Sequence, residues 1–543
     1  MKSINHWAYS IMLTVTLWMT LVSTQAIAIC INIDIPDTPL YTFDDEGIFI
    51  QTHDGLELDA NIFIPTGASE EDKRPAIIFI NSWALNDNEY LAPAKRFAEK
   101  GYVVFSYTTR GFGCSEGKVS VVTDDDMSDL SSAVDYLDSL GFVDIDNIGA
   151  SGISYGSGIS LVGLAKEPRI KTVAAMSTWD SIVDSIYKDN TTRLAWGAVL
   201  VLSGEVIGNL DNEVRKVYTS ILTNKNIDYV REWSAKRSPR SYIDLINERN
   251  APVFIANNYG DGLFPPNGAM ALYSKLTTPK HLELNQGEHA TGELDGLLGL
   301  DSFTWTNAEN WFDYWLKGDT SLNIPNERVF IETDLNKKRE VYSQLPDEIA
   351  DTQTFYLTPS GLLRDGSLSE QPYQGRETSN RIMAGIDSGA WSGIPILASI
   401  FDGNLGEPVT MRRLLFNSLA GQWYESPTLT QGMRIRGIPK LDLEVSSNTD
   451  HFQVVTYLYD IAPNGLATLI NYAPYSRHDL ERGENVQFTM ELTAAAYDIP
   501  AGHKLAVVID TFDLLFTPPS ILPYSLNFHY SREFQPKIEI PVL

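Results

Sequence analysis

At 543 residues the chain is too long for a single hydrophobic core and must divide into domains. With 43% hydrophobic, 11% aromatic and 20% charged residues it has the composition of a folded protein, which excludes long disorder. A formal charge of −29 excludes nucleic acid as a partner, because phosphate binding needs clustered Lys and Arg, and it disfavours anionic membrane surfaces.

The chain opens with Lys2, a mostly apolar run over 11–22 and Ala26-Ile27-Ala28, the three parts of a signal peptide that ends at residue 28. Thr14, Thr16, Thr20 and Ser23 break the run, which argues against an uncleaved anchor. Ile29 is bulky where a lipidation signal at Cys30 needs a small residue. The expectation is an exported protein, periplasmic or secreted, with no stable membrane insertion. Cys30 and Cys114 are the two cysteines, too few for a disulfide framework or a metal cluster, and their pairing is open.

From 47 to about 317, short apolar runs alternate with helical patterns, the signature of an α/β sheet with helices on its faces. Buried strands are predicted at 76–80, 103–107, 148–153, 172–176, 253–256 and 281–284. Leu130, Ala133, Val134 and Leu137 share one face of a helix over 129–140, and Asp124-Asp125-Asp126 before it suits a helix N-terminus better than a calcium loop. Between 178 and 249 the alternation stops. Helical pieces at 194–207, 212–222 and 228–233 predict an inserted cap over about 179–249. After about 319, short alternating runs at 354–357, 411–416, 440–445, 452–459, 467–472, 486–492 and 504–510 predict a β-sandwich or jelly roll. The division reads 1–28 signal peptide, 29–330 α/β domain with cap, and 331–543 β-domain.

Gly152-Ile153-Ser154-Tyr155-Gly156 is a G-x-S-x-G sequence between a predicted strand and a helix start. A serine on so tight a turn has its hydroxyl exposed, and N–H groups at the helix start can stabilise an oxyanion. A hydroxyl needs a base. Asp261 follows one predicted strand and His289 the next, the order and carboxyl-end position expected of an acid and a base in such a sheet. The other seven histidines lie in the signal peptide, before the serine, at a strand start or in the β-domain. Glu288 is a second choice for the acid. Ser154 as nucleophile, His289 as base and Asp261 as orienting acid describe acyl transfer through a covalent intermediate, with the Tyr155 backbone N–H as one oxyanion donor and the 81–83 loop supplying the other. No metal and no cofactor is required.

Four stretches make the chain resemble the cocaine esterase and X-Pro dipeptidyl-peptidase (CocE/NonD) group of α/β-hydrolases. They are Thr109-Arg110-Gly111-Phe112-Gly113-Cys114-Ser115-Glu116-Gly117, the Gly152–Gly156 turn, Trp311-Phe312-Asp313-Tyr314-Trp315-Leu316-Lys317-Gly318, and the run from Val455 through Tyr459 to Gly465. The resemblance implies an α/β-hydrolase core, a helical cap, a carboxyl-terminal jelly roll and the same triad. Where the family often has a tyrosine in the oxyanion hole this chain has Trp83, which can donate through its indole or its backbone. Members acting on α-amino esters hold the substrate ammonium with carboxylates, whereas Asp261 is followed by uncharged Gly262-Leu263-Phe264-Pro265; Asp180 or Glu205 of the cap could supply such an acid. The substrate expected is a small ester or a short peptide, with ester hydrolysis ahead of X-Pro dipeptidyl aminopeptidase or α-amino-acid ester hydrolase activity. A non-catalytic carbohydrate-binding protein is the distant alternative.

Overall fold

The computed structural model describes residues 33, 35–45, 47–359, 365–520 and 522–543; the predicted signal peptide and Cys30 lie outside them. Cys114 is disulfide-bonded.

Eleven strands build the first sheet: β1 Tyr41–Asp44, β2 Phe49–Gln51, β3 Glu57–Pro65, β4 Arg74–Ile80, β5 Val103–Tyr107, β6 Val143–Ile153, β7 Ile170–Met176, β8 Val253–Asn258, β9 Lys280–Asn285, β10 Glu327–Glu332 and β11 Arg339–Tyr342. Their spatial order is β1-β3-β5-β4-β6-β7-β8-β9-β10-β11, with β2 on β3. From β5 to β10 all neighbours run parallel, and β3 and β11 close the sides antiparallel. A parallel sheet has helices on both faces, so its strands are apolar throughout. Alternation sorts them: Ile78 and Ile80 of β4 face the core shared with helices Asp124–Ser139 and Tyr155–Lys166, while Ile77 and Phe79 face the one shared with Leu91–Glu99 and Phe303–Lys317.

Three of the four quoted stretches owe their residues to packing, two in this layer and one in the β-domain. Arg110, buried, places two guanidinium nitrogens on the Asp129 carboxylate, each at 2.6 Å. Gly111 sits at φ +80°, where an added Cβ would lie 2.5 Å from the Val119 nitrogen. In helix Phe303–Lys317, the Trp311 indole donates to Thr172 Oγ1 at 2.8 Å and Phe312 fills the space over Gly149. Gly318 ends that helix in the left-handed region at φ 72°. The β-domain run forms strand Phe452–Ile461, buried along its whole length between Leu466–Arg477 and Lys504–Asp510.

Two boundaries differ from expectation. Helix Asp124–Ser139 starts five residues before the apolar periodicity does, because Thr123 and Asp126 form a capping box and the three aspartates make up its first turn. The first sheet also continues past residue 330. β10 pairs in parallel with β9 and turns back into β11, so these two strands belong to the α/β layer. Five helices lie between β7 and β8: Ile182–Ile186, Leu194–Val206, Asn212–Leu222, Ile227–Ala235 and Ile243–Glu248.

A second sheet of fourteen strands runs from Asp351–Thr358 to Lys537–Val542 around its own core, and its first and last strands pair antiparallel. The predicted run at 411–416 is strand only over Thr410–Arg412; a turn of 3-10 helix at Arg413–Leu415 follows it. The chain is thus an α/β-hydrolase-like domain followed by a mostly β domain. No helix among the described residues is long and apolar enough to cross a membrane.

Candidate active site

β6 passes into helix Tyr155–Lys166 through a single residue, Ser154, held at φ 55° and ψ −115°. A non-glycine residue in this region carries strain of about 1–3 kcal/mol, which the surroundings must enforce. They do so through the two glycines. A Cβ on Gly156 would lie 1.9 Å from the Ile80 carbonyl oxygen, and one on Gly152 would lie 2.5 Å from the carbonyl carbon of Gly156. The turn can fold this tightly against β4 only because both lack side chains. Ser154 is further fixed by its N–H donating to the Met176 carbonyl at 2.9 Å.

The loops after β8 and β9 deliver Asp261 and His289. His289 Nε2 lies 2.8 Å from Ser154 Oγ and Nδ1 lies 2.8 Å from Asp261 Oδ2. A carboxylate only accepts, so Nδ1 carries the proton and Nε2 is left to accept from the serine hydroxyl. The other Asp261 oxygen accepts the Leu263 and Phe264 N–H groups at 2.9 and 2.7 Å. That fixes the carboxylate's rotation independently of the histidine. Burial alone would lower the His289 pKa, but the charge and hydrogen bond of Asp261 more than offset it, and the net shift is upward.

Glu288, the second choice for the acid, does not reach the imidazole ring. Its Oε1 accepts the His289 N–H at 2.9 Å and the Gly262 N–H, tying the base loop to the acid loop. Burial, and then the Asp261 charge, push its pKa up to about 7.

For the oxyanion, Tyr155 begins the helix beside the nucleophile, and its phenol is turned away to Asp126 at 3.2 Å. Trp83 stands on the other side of the turn, its ring 5.5 Å from that of Tyr155. Its indole N–H is engaged with the Leu200 carbonyl and Ser203 Oγ of the cap at 3.0 and 3.1 Å. A Trp83 donor is therefore its main-chain N–H, on a loop fixed by Ser82, whose N–H and hydroxyl both donate to Glu89 at 2.6 Å.

Sequence reasoning missed the walls. The His289 ring lies edge-on between Trp196 of cap helix Leu194–Val206 and Phe264, at 5.4 and 5.1 Å. Phe264 was findable as the aromatic three residues after Asp261; Trp196, in an apolar helix, gave no such signal. The β-domain grips this helix: the Leu515 carbonyl accepts the Leu194 N–H at 2.8 Å, and Thr191 just before it bonds Ser476 at 2.8 Å. The two cap acids are already matched. Asp180 accepts from Arg240 at 2.9 Å, and burial keeps its pKa above the ordinary range despite that charge; Glu205 accepts from Arg215 at 2.7 Å.

Residues 54–291 match the family model of the X-Pro dipeptidyl-peptidase (S15 family), and 323–530 that of the X-Pro dipeptidyl-peptidase C-terminal non-catalytic domain. The first match falls on the α/β domain and the second on the β-domain, so each model follows one of the two domains of the fold. The chain is 20% identical over 554 residues to a putative Xaa-Pro dipeptidyl-peptidase of Bacillus anthracis, covering 88% of this chain and 85% of that one. Among solved structures it is similar to an α-amino acid ester hydrolase, with 16% identity, a TM-score of 0.73, and 96% of this chain and 100% of that one covered. It is also similar to a CocE/NonD family hydrolase from Staphylococcus aureus, with 12% identity, a TM-score of 0.69, and 93% and 94% covered. At these identities the likeness is one of fold, and it agrees with the group resemblance read from the sequence.

Proposed function

We propose that this S15-family hydrolase cleaves carboxylic esters through an acyl-enzyme on Ser154. The observation that carries the reading is the hydrogen-bonded line from Asp261 through His289 to Ser154, with both links at 2.8 Å. His289 takes the hydroxyl proton as Ser154 attacks the acyl carbonyl, then returns it to the departing alcohol. Asp261 stabilises the imidazolium formed meanwhile. The backbone N–H groups of Tyr155 and Trp83 receive the oxyanion. A water activated by the same histidine then releases the acid.

Ester is favoured over amino-terminal peptide by the charges around the site. An α-ammonium needs a free carboxylate, while Asp180 and Glu205 are each held by an arginine, and Glu288 is a buried acceptor for two backbone N–H groups. X-Pro dipeptidyl aminopeptidase activity is the second reading, supported by the S15 match and by the name of the Bacillus relative. Export behind a cleaved signal over 1–28 is part of the proposal.

The test is release of nitrophenol from an aryl ester beside release of nitroaniline from an X-Pro amide, with fluorophosphonate labelling of the wild type and of Ser154→Ala. Ester turnover and labelling, both lost in the variant, are expected. Faster cleavage of the amide would transfer the assignment to the peptidase reading, and labelling that survives in Ser154→Ala would end both.

A further inference from the structure

Two helices beside the triad bear on which esters are taken. Helix Leu194–Val206 carries no charge before Glu205. Its inner side presents Trp196 to His289 and holds the Trp83 indole. A helix apolar all round belongs in an interior, yet the outer stripe of Val199, Leu202 and Val206, at i, i+3 and i+7, is 38%, 46% and 46% exposed. Helix Leu397–Leu405 repeats this arrangement on the loops of the acid and the base. Its Ser399 and Gly403 pack on Gly260 and Gly287, so closely that a Cβ on Gly403 would lie 2.0 Å from the Gly287 Cα. Leu397, Phe401 and Leu405, at i, i+4 and i+8, are 43%, 45% and 65% exposed.

One loop joins the two helices. The Leu515 carbonyl accepts the N–H of Leu194, and the Asp513 carboxylate accepts the Ser392 N–H at 3.0 Å, five residues ahead of the second helix. The outer stripes thus flank one site from two domains. Apolar surface of this kind marks an interaction. Because helix Leu194–Val206 walls the triad and helix Leu397–Leu405 packs on its acid and base loops, a protein fixed across both stripes would obstruct substrate, whereas the substrate's own phase would not. A chain of charge −29 approaches an uncharged apolar phase more readily than an anionic one.

We therefore propose that the substrate is a long-chain, water-insoluble acyl ester, taken from the surface of its own neutral aggregate, onto which the two apolar stripes settle. The inference rests on the ester-hydrolase reading above.

It is tested by comparing dissolved p-nitrophenyl acetate with emulsified p-nitrophenyl laurate. The enzymes are the wild type, the double variant Leu202→Gln/Phe401→Gln, and Leu245→Gln, an equally exposed leucine ahead of β8 at the opposite end of the strands. The wild-type rate on laurate should climb once the ester passes its solubility limit. The double variant should lose roughly tenfold on the emulsion while staying within about twofold on acetate, and Leu245→Gln should change neither. Equal losses on both substrates, or cleavage of acetate without laurate, would overturn the inference and leave the esterase intact. So would light scattering that finds a wild-type dimer dissolved by the double variant with chain-length preference unchanged, since the stripes would then belong to a second copy. Failure to cleave acetate at all would instead remove the ester reading beneath it.

Discussion

Replacing Asp261 by Asn tests the site more sharply than deleting it, because size is conserved and only the proton pattern changes. Asp261 Oδ1 is held by two backbone N–H groups, from Leu263 and Phe264, and Oδ2 faces His289 Nδ1. An asparagine must place its single carbonyl oxygen on one side. Turning its NH2 onto the two N–H groups sets donors against donors, so the oxygen stays there and the NH2 faces the imidazole. Nδ1 must then accept, which puts the ring proton on Nε2, where it can no longer receive the Ser154 proton. The expected loss in kcat/KM on an aryl ester is about a thousand- to ten-thousand-fold, or about 4 to 5.5 kcal/mol of transition-state stabilisation. Stopped-assay kinetics, paired with the fluorophosphonate labelling rate, should fall together while the melting temperature stays within a few degrees. A variant retaining more than a tenth of wild-type kcat/KM, correctly folded, would refute the role given to Asp261.

The remaining predictions address the supports of the triad. Gly156→Ala would drive a methyl into the Ile80 carbonyl, 1.9 Å away, and should cost about 3 kcal/mol or more, seen as lost soluble yield or a strongly lowered melting temperature; a wild-type melt would show that the turn yields. Trp83→Phe removes the two indole bonds to the cap, at about 1 kcal/mol in thermal denaturation, but should leave kcat/KM within about fivefold if, as proposed, the main chain is the oxyanion donor. A loss beyond a hundredfold would put the indole in the hole. The pH profile follows from His289, which must be neutral to act as base. Its pKa is raised, so kcat/KM should be full at high pH and fall as pH drops through a midpoint above the ordinary imidazole value of 6.5; a midpoint below it would contradict the Asp261 pairing.

The central strands were legible because burial on both faces leaves runs such as those of β4 and β5 that no exposed segment can carry. The turn at Ser154 was legible for a steric reason, since the glycines record the closeness of β4 in the sequence itself. Asp261 and His289 could be chosen by chain order, by their place just after two predicted strands, and by setting aside the other seven histidines. What stayed hidden was pairing over distance. Nothing local to Asp180 says that Arg240, sixty residues on, will meet its carboxylate, and so whether a cap acid is free to hold an ammonium was unreadable. The same applies to Trp83, whose indole is turned from the oxyanion by the Leu200 carbonyl, more than a hundred residues away. Helix Leu397–Leu405 was missed because its outward leucines and inward Ser399 and Gly403 invert the usual amphipathic pattern.

The grip of the β-domain on residues 191–194 makes that domain part of the catalytic unit, although its family model is described as non-catalytic. A shortened chain ending near Tyr342 would keep the nucleophile, base and acid on an intact sheet. It would lose the two tethers that set Trp196 against the imidazole. Such a fragment would own every reacting atom and both aromatic walls, yet not the bonds that hold one of those walls in place.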